Sequence, residues 1–192
     1  MRTLVANVMV LVLFGGATAT TLTAQLATGD LSKLVVARAW SPQSLKYRAP
    51  SPNPGSTGLD ATMRPSAGRT LLVVEVVLRG GAEARLTVAD VKVVDAKKAA
   101  YEPVGAAGSI FANFEPFSEN VAGWVRTFGP QGPTGPTVKI GREKQADPFS
   151  VELKGEGANV FFAFTIPANA GALGLALGKQ SSAPLTVVPE TP

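Results

Sequence analysis

The run 70–79 constrains this chain more than any other stretch. Taken every second residue, Leu72, Val74, Val76 and Leu78 are all apolar, and the intervening positions are Leu71, Val73, Glu75, Val77 and Arg79. One wholly apolar row, with a second row rich in valine and leucine, specifies a strand at the centre of a sheet. At roughly 3.3 Å per residue such a strand spans about 30 Å, the height of a small sandwich.

The same two-residue alternation recurs along the chain. In 34–40, Leu34, Val36 and Trp40 share one face, with Arg38 beside them, while Val35, Ala37 and Ala39 share the other. Within 86–95, Val91 and Val93 point inward and Lys92 outward, and a polar turn then leads to Tyr101 as a buried anchor. Residues 109–114 suit a single helical turn, and 124–128 resume an extended character. Phe149, Val151 and Leu153 alternate with polar residues in an edge-type pattern. Val160, Phe162, Phe164 and Ile166 form a second wholly apolar row, stopped by Pro167; Leu173, Leu175 and Leu177 follow, and Leu185 with Val187 gives a short last strand. Many short strands, frequent Gly and Pro, and no long helical pattern predict an all-β, two-sheet antiparallel sandwich.

Two stretches break the pattern. Residues 41–68 contain Pro42, Pro50, Pro52, Pro54 and Pro65 with Gly55, Gly58 and Gly68. Proline removes ladder donors and disfavours helix before it, so the segment reads as one long loop, either mobile or a functional surface loop, with mobility favoured. Residues 105–148 read as an irregular insertion. It includes the Gly-Pro run at 129–136, which has too few triplets for a triple helix and is expected to be a stiff extended loop.

The N-terminus predicts export. Residues 1–19 carry Arg2, an apolar stretch over 4–14, a Gly15-Gly16 break and the small residues Ala17-Thr18-Ala19, the parts of a cleavable signal peptide. A second cut after Ala24 is a poorer fit, with Leu22 three positions back. The apolar stretch is too short to cross about 30 Å of hydrocarbon, and no later segment spans a membrane. This gives a signal peptide at 1–19, a linker at 20–30, the sandwich at 31–188 and a tail at 189–192, in a periplasmic or extracellular protein.

Residue types narrow the chemistry. The chain has no cysteine and no histidine, so disulfides, thiolate nucleophiles, Cys/His metal sites, imidazole-mediated proton transfer and an acylated cysteine anchor are all excluded. Eighteen basic residues against 14 acidic ones give +4, with no basic cluster beyond Lys97-Lys98, so nucleic-acid binding is not expected. Ser44 and Lys46 are wrongly spaced for a Ser–Lys pair. Asp90 and Asp95 do not form a calcium loop, and no glycine-rich phosphate loop precedes a helix. Glu115 and Glu119 lie among aromatics, where glycoside chemistry would want paired carboxylates, and read as solvated loop acids. No catalytic residue, metal or cofactor is expected. The candidate recognition residues are Phe111, Phe114, Phe117 and Trp124, since loop aromatics supply large contact area at low entropic cost. Their other reading is a cap on one end of the core.

The order Gly68-Arg69-Thr70 with the following strand, the segment 86–95, Tyr101, the strand 159–167 closing in Ile-Pro, and Leu173 to Leu177 resembles the exported bacterial immunoglobulin-like domains called immunoprotection-like. The resemblance covers roughly 31–188. It implies an immunoglobulin-like sandwich in an exported protein and carries no site residues across. The turn after Asp95 holds Lys97-Lys98-Ala99 where that family usually has glycine. The functional expectation is a non-enzymatic module binding a protein or cell-envelope component. The alternatives are a carbohydrate-binding or carbohydrate-active protein using the aromatic loop 111–124, and a structural subunit of an extracellular assembly.

Overall fold

The computed structural model describes residues 28–29, 31–49, 58–109, 112–118, 123–129, 135–179 and 183–189. The signal-like segment 1–19, Phe111, Glu119 and most of the Gly-Pro run lie outside them. In chain order the strands are β1 (Thr28–Gly29), β2 (Leu34–Ser41), β3 (Leu45–Ala49), β4 (Leu59–Met63), β5 (Arg69–Leu78) and β6 (Glu83–Thr87). There follow β7 (Val91–Asp95), β8 (Ala100–Tyr101), β9 (Gly105–Ala107), β10 (Glu115–Pro116), β11 (Trp124–Phe128) and β12 (Thr137–Arg142). The last five are β13 (Ser150–Lys154), β14 (Asn159–Pro167), β15 (Leu173–Leu177), β16 (Ala183–Leu185) and β17 (Val187–Pro189). Among the described residues there is no α-helix, only 3-10 turns at Leu31–Lys33 and Val88–Asp90.

The chain is all-β, built as stacked sheets. A six-stranded sheet runs β10-β9-β14-β5-β2-β17, a five-stranded sheet β1-β6-β13-β12-β11, a four-stranded sheet β16-β15-β7-β8, and β3 pairs with β4 as a hairpin. Neighbouring strands are antiparallel except β17, which lies parallel to β2. The expected central strand, β5, is held between β14 and β2.

Its two rows serve two cores. Leu72, Val74, Val76 and Leu78, with Val160, Phe162, Phe164 and Ile166 of β14, turn to one side. They meet Ala84, Leu86, Val138, Ile140, Val151 and Leu153 of the five-stranded sheet and Val91, Val93, Leu175 and Leu177 of the four-stranded one. These two sheets therefore make one opposing layer, as a β-sandwich requires. The chain passes between them at the Val88–Asp90 turn, where the Asp90 carboxylate accepts hydrogen bonds from the Thr87 backbone at 2.9 Å and hydroxyl at 2.6 Å. The other row, Leu71 and Val73, forms a smaller cluster on the outer face with Trp40, Ala107, Phe161, Ala163, Leu45 and Phe114.

That second cluster corrects the reading of 41–68 as a loop. β3 and β4 form a hairpin that lies over the outer face of the six-stranded sheet, with Leu45 buried and Tyr47 and Met63 packed against the cluster. The prolines do not oppose this, because Pro42 and Pro65 flank the strands and Pro50, Pro52 and Pro54 fall between them. Proline density marked the ends of the strands and hid their existence.

Other expectations change as well. β2 slips register between Val36 and Arg38, a β-bulge that reverses its alternation. Ala39 turns inward and Trp40 outward. Arg38 joins Trp40 on the outer face, its Nε bonded to Glu75 at 2.7 Å and its guanidinium 4.6 Å from the indole. β13 has a strand on each side, β6 and β12, so its alternation reflects one solvated face and not an edge. The insertion 105–148 contains β9 to β12; the turn expected over 109–114 falls partly outside the described residues, and the Ala112 amide donates to the Ser109 carbonyl at 3.1 Å. Thr28–Gly29, inside the expected linker, already pairs with β6, and the expected last strand is two strands, in two different sheets.

The turn after Asp95 shows how the chain manages without glycine. Lys98 adopts φ +64°, a left-handed conformation that costs a non-glycine residue roughly 1 kcal/mol. The Asp95 carboxylate holds the turn, accepting from the amides of Lys97 at 2.8 Å and Ala99 at 2.9 Å and from the Tyr101 hydroxyl at 2.9 Å. Burial works against its charge, but these bonds outweigh it and keep the carboxyl below the usual carboxylate range.

Candidate functional site

The two outer faces of the sandwich differ. The hairpin covers that of the six-stranded sheet over Trp40, Leu71, Val73 and Phe161 and leaves Val35 and Arg38 exposed. The outer face of the five-stranded sheet carries a groove of about 560 Å³, lined from β6, β13, β12 and β11 and from the loop after β12. Its floor follows from side-chain size: Ser150 and Gly141 stand opposite each other in register, and Val125 faces Gly141 from β11. One wall is the cross-strand row Arg85, Glu152, Lys139, in which the carboxylate sits between two cations. The other wall holds Arg142, Glu143, Asp147 and Pro148.

The charges in this groove are ordered. Glu152 bonds Lys154 at 2.8 Å. That bond, opposed by burial and reinforced by the charges of Lys154, Lys139 and Arg85, holds its carboxyl below the usual range. Lys139 lies 3.5 Å from Glu143, and the Arg142 guanidinium lies 4.4 Å from the Phe149 ring. Such a surface presents fixed charge of both signs around a floor of small side chains, which suits recognition of a charged ligand.

The four aromatics expected to form a recognition surface are divided among different places. Phe114 is buried in the outer cluster, its backbone paired with β3. Phe117 and Trp124 are half-buried against the main core and both pack on Phe149, with ring centroids 5.3 and 5.8 Å away. Phe111 lies outside the described residues. Phe114 thus has no open ring face for a sugar, and Phe117 and Trp124 support the Phe149–Arg142 wall of the groove from beneath.

Glu115 is not a solvated loop acid. It is buried on β10 and paired with Arg126 of β11 at 2.8 Å, so one ion pair joins the edge of the six-stranded sheet to the edge of the five-stranded one. Burial pushes its carboxyl above the usual range, while Arg126 and Arg48 pull it back. Tyr47 closes the cluster, its hydroxyl donating to the Val104 carbonyl. Burial, and then the charge of Glu115, raises its phenol.

The expected consequence is a pH-dependent stability in the Arg126→Ala variant. An acid with a raised folded-state pKa holds its proton more tightly folded than unfolded, so stability falls as pH rises through the window between the two values. Removing Arg126 raises that upper bound further. The variant should lose about 2 kcal/mol at pH 7, less than the 3–5 for a fully buried pair because Arg126 is partly exposed, and clearly less at pH 5. Urea unfolding at both values checks this. Equal losses at both would show that the Glu115 charge is not the cause.

Sequence reading missed the groove because it missed β12. Val138 and Ile140 alternate with Thr137 and Lys139, the signal of a strand, but Gly141 and the preceding Gly-Pro run concealed it. Among the described residues no group of three or more Asp or Glu side chains is placed to hold a metal ion, and no helix is long and apolar enough to cross a membrane. No family model, no curated protein and no solved structure matches the chain.

Proposed function

We propose that this chain is an exported, immunoglobulin-like β-sandwich module that acts by binding a protein or cell-envelope component, with no bond-making of its own. The signal-like residues 1–19 support export. The observation that carries the reading is the asymmetry of the outer faces: one is covered over Leu71, Val73 and Phe161 by the chain's own hairpin, and the other carries a groove whose charges are set in cross-strand register. A surface of that kind gives specificity through complementary charge.

The test is capture from cell-envelope extracts with the protein in the form its host produces, beside Lys139→Glu. The native chain should retain a partner that the variant does not. Failure to retain any component, or equal retention by both, would count against the reading. Lys139 is 44% exposed at its side chain, so the substitution leaves the core untouched.

A further inference from the structure

We infer that the β3–β4 hairpin is a strap, hinged at the β2–β5 side of the six-stranded sheet and latched at its β9–β10 edge. It lifts as a unit and bares the cluster around Trp40 and Phe161 while the two layers stay folded. The movement is independent of the binding reading.

Chain connectivity sets the hinge. The chain enters the hairpin from Ser41 at the end of β2 and leaves it for Arg69 at the start of β5, the neighbouring strand. That base is pinned. Ser41 Oγ and Thr70 Oγ1 share a hydrogen bond at 2.7 Å, and the Ser41 hydroxyl donates to the Leu71 carbonyl at 2.7 Å. Gly68 turns the chain into β5 at φ +74°. The latch lies across the sheet, where Val104 precedes β9 and Phe114 precedes β10. The Arg48 amide donates to the Phe114 carbonyl at 3.0 Å and the Phe114 amide to the Lys46 carbonyl at 2.9 Å. The Asn113 side-chain amide donates to Asp60 at 2.6 Å, and the Tyr47 hydroxyl donates to the Val104 carbonyl. Among the described residues no backbone hydrogen bond ties β3 or β4 to β2, β5 or β14.

Lifting the strap gives up little. In β3 and β4 only Leu45 is buried, and Leu59, Asp60, Ala61 and Thr62 are exposed. The two strands pair with each other from Leu45–Met63 to Ala49–Leu59, so their ladder travels with them. Lifting β1, β16 or β17 would instead break ladder bonds to a sheet. The cluster beneath is also separate from the main core. Val73, Ala107 and Phe161 belong to the outer cluster, and their chain neighbours Val74, Ala106 and Phe162 to the inner one. Elements with few buried contacts open with free energies below that of global unfolding, and a two-stranded hairpin is marginal by itself.

Thiol labelling tests this cleanly, because the chain has no cysteine of its own. Ala107 and Ala106 are neighbours on β9 and both fully buried, one in the cluster under the strap and the other in the main core. In the native protein the Ala107→Cys thiol should react with a disulfide reagent roughly tenfold or more faster than the Ala106→Cys thiol. Tyr47→Phe removes one latch bond, so it should speed the former about fivefold and leave the latter unchanged. Should Ala107→Cys fail to fold, Ala163→Cys on β14, buried in the same outer cluster, gives the same readout. Equal rates under the strap and in the main core, or a rate under the strap indifferent to Tyr47→Phe, would overturn the inference.

Discussion

Phe162→Ala is expected to lose about 3–5 kcal/mol of stability. Phe162 is fully buried at the middle of β14. Its backbone pairs with Val74 on one side and Ala106 on the other, and its ring lies in the main core. Removing the ring leaves a cavity that two sheets cannot both relax into. With a total stability on the order of 5–15 kcal/mol for a domain, that loss is a large fraction. A chain of this length should show a melting temperature lowered by about 10 °C. Phe161→Ala, one residue away on the opposite face, should cost about 2 kcal/mol, because the hairpin over that smaller cluster can settle inward. Calorimetry of both variants checks the ranking, and a larger loss at Phe161 would mean that the outer cluster is the dominant core.

Gly141→Ala is the second large effect, with an expected loss of about 3 kcal/mol. Gly141 has φ +142°, and a Cβ there would collide with the Trp124 carbonyl of the paired strand. Any side chain must therefore push β11 away from β12, which loosens the Trp124–Phe149 contact and fills the groove floor. Gly157→Ala is the matched comparison. It also has positive φ, +83°, but a Cβ there would meet open space, so only the backbone strain of roughly 1 kcal/mol applies. Urea unfolding of the two variants should separate them by about 2 kcal/mol. Equal losses would place the whole effect in the dihedral and none in the β11–β12 approach.

The central strand and its inner row were legible because burial on one face leaves an unbroken period of two, as in Leu72 to Leu78 and Val160 to Ile166. The sandwich layers follow from those rows. Elements whose burial is partial left weaker traces. β3 exposes Lys46 and buries Leu45 against a cluster that exists only once the hairpin folds back, so no local pattern announces it. The β2 bulge was illegible for another reason: one extra residue reverses a strand's phase, and Val35, Ala37 and Ala39 fit either face by composition alone. The groove was hidden by its floor, since a site made by the smallness of Gly141 and Ser150 offers no motif. Glu115 drew notice for its aromatic neighbours, whereas its role comes from Arg126 on a strand of the opposite layer.

The account stands or falls on which outer face a partner covers. Amide hydrogen exchange of the protein alone and with its captured envelope partner measures this residue by residue. The prediction is new protection over Trp124–Phe128 and Thr137–Arg142, with Leu45–Ala49 and Leu59–Met63 unchanged. Protection confined to the hairpin, with β11 and β12 exchanging as before, would contradict it.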